Sequence, residues 1–253
     1  MLSRAEESPT PQPISTVATD VTRPASAHEL FRKDVISTAA TTSIVAESSH
    51  LYTVVSQVGR GAFGTVYKVR RQGYDALFAV KQMRYIQGPE EYELPEITLL
   101  PNLSHPNVVR LYDTFVSDGQ SISTSRLFII PENRATGRQS LVFEYMEHDL
   151  RGILWQTSFA LSDAHLKSLC TQMFLGIDYV HEHGIMHRDL KSCNILVNSR
   201  GELKLADFGI SCAFKKGWKI EDPIMVCTLG YRPPELLLGA TIYGPEVDMW
   251  SAG

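Results

Sequence analysis

Six residues, Gly59-Arg60-Gly61-Ala62-Phe63-Gly64, decide early which folds are open to this chain. The spacing G-x-G-x-x-G suits a backbone that comes close to phosphate groups. In dinucleotide-binding folds such glycines open a helix whose N-terminus holds a pyrophosphate. Here Thr65-Val66-Tyr67-Lys68-Val69 follows, and it alternates as a strand does. A second β-branched and aromatic run, Leu51 to Val58, precedes the glycines. They therefore join two strands, and a flap over phosphates is the better reading. A hairpin with glycines only for its turn is the plain alternative.

The rest of the chain divides into a strand-rich part and a helix-rich part. Residues 1–50 are rich in Ser, Thr, Ala and Pro and show no periodicity, so they read as a disordered tail. After the hairpin, Ala76–Gln82 reads as a third strand. A polar stretch, about 117–140, separates Val108–Phe115 from the strand Leu141–Tyr145 and reads as a surface insertion. Ser162 is placed to cap a helix whose apolar face is Leu166, Leu169, Cys170, Met173, Phe174, Ile177 and Val180, with Gly184 ending it. Two short strands follow, Ile195–Val197 and Leu203–Leu205. The expectation is an α+β chain with a strand-rich lobe over 51–145 and a helix-rich lobe over 146–253.

Composition removes several functions. The formal net charge of −4 argues against a nucleic-acid-binding surface as the main role. The four cysteines, Cys170, Cys193, Cys212 and Cys227, form no C-x-x-C pair and read as reduced thiols. No apolar run approaches the ~18–20 residues that span a bilayer, and no signal-peptide core is present, so the expected compartment is the nucleus or the cytoplasm.

Beyond the glycines, chemistry concentrates at three places. Lys81 closes the apolar run Ala79-Val80-Lys81, where burying an ammonium needs an anion such as a nucleotide phosphate. In His187-Arg188-Asp189-Leu190-Lys191-Ser192-Cys193-Asn194, a carboxylate, a lysine and an amide can face one reacting centre. Asp189 can orient an attacking hydroxyl and take its proton. Lys191 can neutralise charge growing on a transferred phosphoryl group, and Asn194 can hold Mg²⁺. Asp207-Phe208-Gly209 adds a carboxylate suited to Mg²⁺ bridged to substrate phosphates.

The four together resemble the eukaryotic protein kinases, over Leu51 to Gly253. Lys191 is similar to the Ser/Thr-specific enzymes. Finer resemblance to the cyclin-dependent-kinase branch rests on Glu96-Ile97-Thr98-Leu99-Leu100, His105-Pro106-Asn107-Val108-Val109, Leu141-Val142-Phe143-Glu144-Tyr145-Met146, Thr228 to Gly239 and Val247-Asp248-Met249-Trp250-Ser251. It implies a bilobal kinase fold, ATP and Mg²⁺ as cofactors, protein Ser/Thr substrates with a following proline, and a cyclin partner. By position it implies that Gly59, Arg60, Gly61, Ala62, Phe63, Gly64 and Thr65 cover the phosphates. It implies Val58, Val66, Ala79 and Leu196 around the adenine, Phe143 behind it, and Glu144 and Met146 at its hydrogen-bonding edge. Glu96 would pair with Lys81, and Thr228 would bond Asp189 and Lys191. Asp248 would begin a helix that supports the catalytic loop.

Departures from the branch are as informative. Its usual arginines at two positions are Pro95 and Cys212 here, and no Ser, Thr or Tyr lies between Cys212 and Cys227. A phosphothreonine needs clustered arginines, so loop phosphorylation is not the expected switch; Glu221 or Asp222 facing Arg188 is one substitute, and a solvated acidic pair is the other reading. Pro89, Pro95 and Pro101 suggest a short or broken helix at Glu96, which makes its pair with Lys81 the weakest of the site expectations. Few residues follow Asp248, so an incomplete second lobe, with Glu235 lacking its partner, is expected of a piece of a longer kinase. The alternatives are a nucleotide-binding pseudokinase scaffold and, almost excluded by the strand after Gly64, a dinucleotide-dependent oxidoreductase.

Overall fold

The computed structural model describes residues 52–61, 64–83, 95–118, 137–156, 161–223 and 225–253. The N-terminal tail, Ala62, Phe63, Pro89 and most of the expected insertion lie outside them.

Five strands form one antiparallel sheet: β1 (Tyr52–Arg60), β2 (Gly64–Arg71), β3 (Leu77–Met83), β4 (Leu111–Asp118) and β5 (Gly137–Glu144), in the order β1-β2-β3-β5-β4. The expected insertion is too wide. Ser117 and residues 137–140 belong to β4 and β5, and Ser140 is fully buried. Polar composition had masked strand ends whose backbone ladder, Phe115↔Ser140 to Asp118↔Gly137, needs no apolar side chain.

Side chains alternate across the sheet. Phe78 and Val80 of β3 and Val142 of β5 pack with Tyr52, Val69 and Phe115 on one face. Ala79 of β3 and Leu141 and Phe143 of β5 face the larger apolar cluster on the other. The same period carries Lys81 onto the second face, beside Ala79.

Between β3 and β4 lies a short helix, α1 (Pro95–Leu99), continued by a 3₁₀ turn over Leu100–Asn102. This is the short helix that the prolines imply. Beyond β5 come β6 (His148–Asp149), α2 (Leu150–Trp155) and α3 (Asp163–Glu182). Ser162 caps α3 as expected: its Oγ accepts from His165 N, and His165 Nδ1 accepts from Ser162 N, both at 3.3 Å. The buried stripe of α3 is Leu169, Met173, Gly176, Ile177 and Val180. Leu166, Cys170 and Phe174 are exposed, so the apolar face is narrower than their hydrophobicity suggests. They sit on the adjoining three-to-four-residue row, turned away from the core.

The remaining elements are short: β7 (Ile185–Met186), β8 (Ile195–Val197), β9 (Leu203–Leu205), β10 (Cys212–Ala213), β11 (Ile220–Glu221), α4 (Pro234–Leu237), β12 (Ile242–Tyr243) and α5 (Glu246–Ala252). β8 and β9 have the expected bounds. β6, β8 and β9 form one small sheet, while β7 pairs with β10 and β11 with β12. Leu237, Leu238, Met249 and Trp250 are exposed.

Gly184 ends α3 with φ +68°, and Phe214 N donates to its carbonyl at 2.6 Å. A Cβ there would stand 2.7 Å from Phe214 O. Gly184→Ala should therefore cost more than the ~1–2 kcal/mol of a left-handed L-residue alone. Urea denaturation checks it: a midpoint equal to that of the unmodified chain would contradict this account of the β7–β10 junction.

Candidate active site

The hairpin needs one of its glycines for packing. A Cβ on Gly64 would collide with the carbonyl of Gln82, so β2 and β3 can close here only without a side chain. That closeness sets the cross-strand pair Val66↔Lys81.

Lys81 is the charged centre on this face of the sheet. Its Nζ donates to Glu96 Oε1 at 2.8 Å and Oε2 at 2.9 Å, and to Asp207 Oδ1 at 2.6 Å. Glu96 is 1% exposed and Lys81 8%. The short α1 thus delivers Glu96 fully, and the pair expected to be weakest is made with both carboxylate oxygens. Proline in the first turn leaves the rest of the turn free to form. Burial opposes the charge on Lys81, but Glu96 and Asp207 outweigh it and hold its pKa above the ordinary value. Burial also raises Glu96, against the pull of Lys81, because one cation serves two carboxylates. Asp207 takes the larger benefit: Lys81 overcomes its burial and lowers its pKa.

The second centre is the catalytic loop after β7. Asp248, fully buried in α5, accepts from His187 N at 2.8 Å, Arg188 N at 2.7 Å and His181 Nε2 at 2.8 Å. His187 is held in turn: Nε2 faces Ala206 O at 2.9 Å and Nδ1 accepts from Asp189 N at 3.2 Å, which assigns the Nε2–H tautomer. These bonds sustain a left-handed Arg188 at φ +68°, a conformation that non-glycine residues rarely adopt.

Asp189 emerges from this turn with both oxygens engaged. Lys191 Nζ donates to Oδ2 at 2.6 Å and Thr228 Oγ1 to Oδ1 at 2.7 Å; Lys191 also donates to Thr228 Oγ1 at 3.0 Å. Asn194 Nδ2 donates to the Asp189 carbonyl at 2.8 Å and to Oδ2 at 3.1 Å, leaving its amide oxygen for another partner. The weakly donating Cys193 thiol lies 3.8 Å from that oxygen.

A cavity of about 530 Å³ joins the two centres, well inside the ~300–1,000 Å³ of small-molecule sites. Its walls include Val58, Gly59, Val66, Ala79, Lys81, Glu96, Phe143, Glu144, Met146, Asn194, Leu196 and Asp207, all named from sequence. Arg60, Gly61, Gly64 and Thr65 do not line it. Glu144 turns its carboxylate aside, to Arg110 N at 2.9 Å and Lys204 Nζ at 3.1 Å, so only its backbone is left to serve the cavity. Sequence reasoning missed Val109, Tyr145, Glu147, His148, Asp149, Cys193 and Ala206. Cys193 and Ala206 could have been found as chain neighbours of Asn194 and Asp207; Val109 carries no such signal. The donor set suits Mg²⁺, which takes one or two protein oxygens and completes its shell with phosphates and water. Asp207 and the Asn194 amide oxygen could supply those two.

Removing the shared cation gives a pH-dependent cost. With Lys81→Met, Glu96 keeps a buried charge without its partner, and its raised pKa rises further. Ionising it then costs stability as pH climbs from the ordinary carboxylate range through that raised value. The variant should lose about 3–5 kcal/mol near pH 8 and less near pH 5, where Glu96 takes up a proton. Denaturation at the two pH values checks this; an equal loss at both would contradict it.

Comparisons with known proteins agree with this geometry. Residues 52–253 match the protein kinase domain family. The chain is 37% identical to the CTD kinase subunit alpha of Saccharomyces cerevisiae over 210 residues, covering 81% of this chain and 36% of that protein. It is 40% identical to cyclin-dependent kinase 12 of Caenorhabditis elegans over 208 residues, covering 80% of this chain and 27% of that one. It thus spans about a third of these relatives' lengths. Among solved structures, the yeast RNA Pol II CTD kinase CTDK-1 complex contains a similar chain, with a TM-score of 0.66 and 32% identity over 87% of this chain and 62% of that one. This chain therefore belongs to the protein kinases, and the relatives it resembles here include cyclin-dependent kinases.

Proposed function

We propose that the protein is an ATP- and Mg²⁺-dependent Ser/Thr kinase with a preference for a proline after the acceptor. The observation that carries the reading is Asp189, pinned by Lys191, Thr228 and Asn194 beside a cavity that Lys81, Asp207 and Asn194 line. Asp189 orients the substrate hydroxyl and accepts its proton as that oxygen bonds the γ-phosphorus of ATP and the bond to the departing ADP oxygen breaks. Lys191 offsets the charge on the transferred group, and Thr228 keeps Asp189 and Lys191 in register. Lys81 holds the α- and β-phosphates, with Glu96 fixing its position. Val58, Val66, Ala79 and Leu196 enclose the adenine, and Phe143 closes the back. Asp207 and Asn194 would hold Mg²⁺, which neutralises phosphate charge when bound.

The proline preference rests on one carbonyl. Cys227 is left-handed, with φ +62°, and its carbonyl accepts from Arg232 Nη2 at 2.9 Å and Nε at 3.2 Å. It lies one residue from Thr228, which touches Asp189. A substrate N–H arriving there finds its acceptor taken, and an unpaired N–H costs about 1–3 kcal/mol. Proline has no N–H to lose. The names of the relatives add a cyclin partner and, for the yeast enzyme, the RNA Pol II CTD as substrate. Among the described residues no helix is long and apolar enough to cross a membrane, and the nucleus or the cytoplasm is the proposed compartment.

The test is phosphorylation of a mixed Ser/Thr peptide library by the full chain with ATP and Mg²⁺, beside Asp189→Asn. Transfer should fall about 10²–10⁴-fold in the variant, with ATP binding kept, and peptides with proline after the acceptor should lead by about tenfold or more. Equal transfer by both proteins would overturn the assignment. ATP binding with no transfer by either would make the chain a scaffold.

A further inference from the structure

Arg188 sits between the catalytic residue Asp189 and a segment that the chemistry above does not use. Its Nη1 donates to Asp222 Oδ2 at 2.6 Å and to Tyr243 OH at 3.0 Å, and its Nε to Ile210 O at 2.7 Å. The guanidinium and carboxylate side chains are 8% and 13% exposed. Ile220, two residues before Asp222, is buried in one apolar cluster with Met186, Cys212, Phe214, Tyr243 and Val247. The backbone of Asp222 is fixed as well. Its N–H donates to Thr241 O at 2.8 Å, just past the β11–β12 pairing of Ile220↔Tyr243 and Glu221↔Ile242.

The same arginine reaches the substrate side, because Cys227 N donates to Arg188 O at 3.0 Å. Arg188 therefore ties three things together: the backbone of the catalytic loop, the residue after Asp207-Phe208-Gly209, and the strand that leads to Cys227 and Thr228. An ion pair this buried is far more costly to break by halves than an exposed one, since the remaining charge stays out of water. Cys212, whose thiol burial pushes up to about 11, is neutral beside Arg188. A phosphate would bring nearly two negative charges to a site with this one guanidinium. The chain between Cys212 and Cys227 holds no hydroxyl residue to carry one.

We propose that Asp222 is a positioning residue: it holds the segment 210–228 in its substrate-binding shape by a charge written into the sequence, so that no phosphorylation of this segment is needed for activity. The inference rests on the kinase reading above and adds its regulation. Of the two acidic candidates in the sequence, Asp222 takes the role, while Glu221 is exposed on β11.

The test uses the full chain, with Asp222→Asn and Asp222→Glu, and reads amide hydrogen exchange over residues 210–228 beside steady-state kinetics. Asp222→Asn should speed exchange in the segment and lower the peptide kcat/KM by about tenfold or more, with the ATP dissociation constant unchanged. Asp222→Glu, which keeps the charge, should restore most of both. Phosphatase treatment of the unmodified protein should leave its rate unaltered. Wild-type exchange and kinetics in Asp222→Asn would overturn the proposal, and so would loss of activity on phosphatase treatment. Should the unmodified chain transfer no more phosphate than Asp189→Asn, the kinase reading fails, and the exchange data still decide whether Asp222 holds the segment.

Discussion

One buried ammonium serving two carboxylates organises the half of this molecule built on the five-stranded sheet. Lys81 comes from the sheet, Glu96 from the short helix beside it, and Asp207 from the loop after β9. Remove the cation and two carboxylates face each other without the charge that both of them bond. The position of Lys81 follows from simpler facts. Period-two alternation puts it on the same face as Ala79, and the missing side chain of Gly64 lets β2 approach β3 closely enough to set the register. A local packing constraint in the hairpin thus determines where a charge ends up across the sheet.

The second half works by enforced strain. Arg188, Asp207 and Cys227 are the non-glycine residues with positive φ among those described, and each lies at the site. Left-handed backbone costs of order 1–3 kcal/mol at such residues and persists only where the surroundings over-determine it. The surroundings are visible here. Asp248 takes two consecutive backbone N–H groups at 187 and 188, Lys81 takes the side chain of Asp207, and Arg232 takes the carbonyl of Cys227. Arg188 then joins the strained turns through one residue, its guanidinium reaching Ile210 O and its carbonyl accepting from Cys227 N.

Much of this was legible in the sequence because charged and amide groups at fixed spacing leave few options. Asp189, Lys191 and Asn194 meet in space because a short turn carries all three, and β8 and β9 have the bounds that their apolar runs suggest. The strand ends at 117–118 and 137–140 were not legible, since backbone ladders there do not depend on apolar side chains. Nor was the narrow face of α3, where Leu166 and Phe174 are hydrophobic yet exposed. The strength of the Lys81–Glu96 pair was misjudged because proline counts against a helix interior but not against its first turn. The choice of Asp222 over Glu221 depended on the pairing of β11 with β12, a contact between segments about twenty residues apart that no local pattern encodes.

The Mg²⁺ site proposed above would be made by Asp207 with the amide oxygen of Asn194. Calorimetric titration of the full chain with ATP, with and without Mg²⁺, tests it most directly beside Asp207→Asn. Mg²⁺ should tighten ATP binding by about tenfold or more in the unmodified chain and have little effect in the variant. Equal tightening in both would contradict the claim and move the metal site away from Asp207.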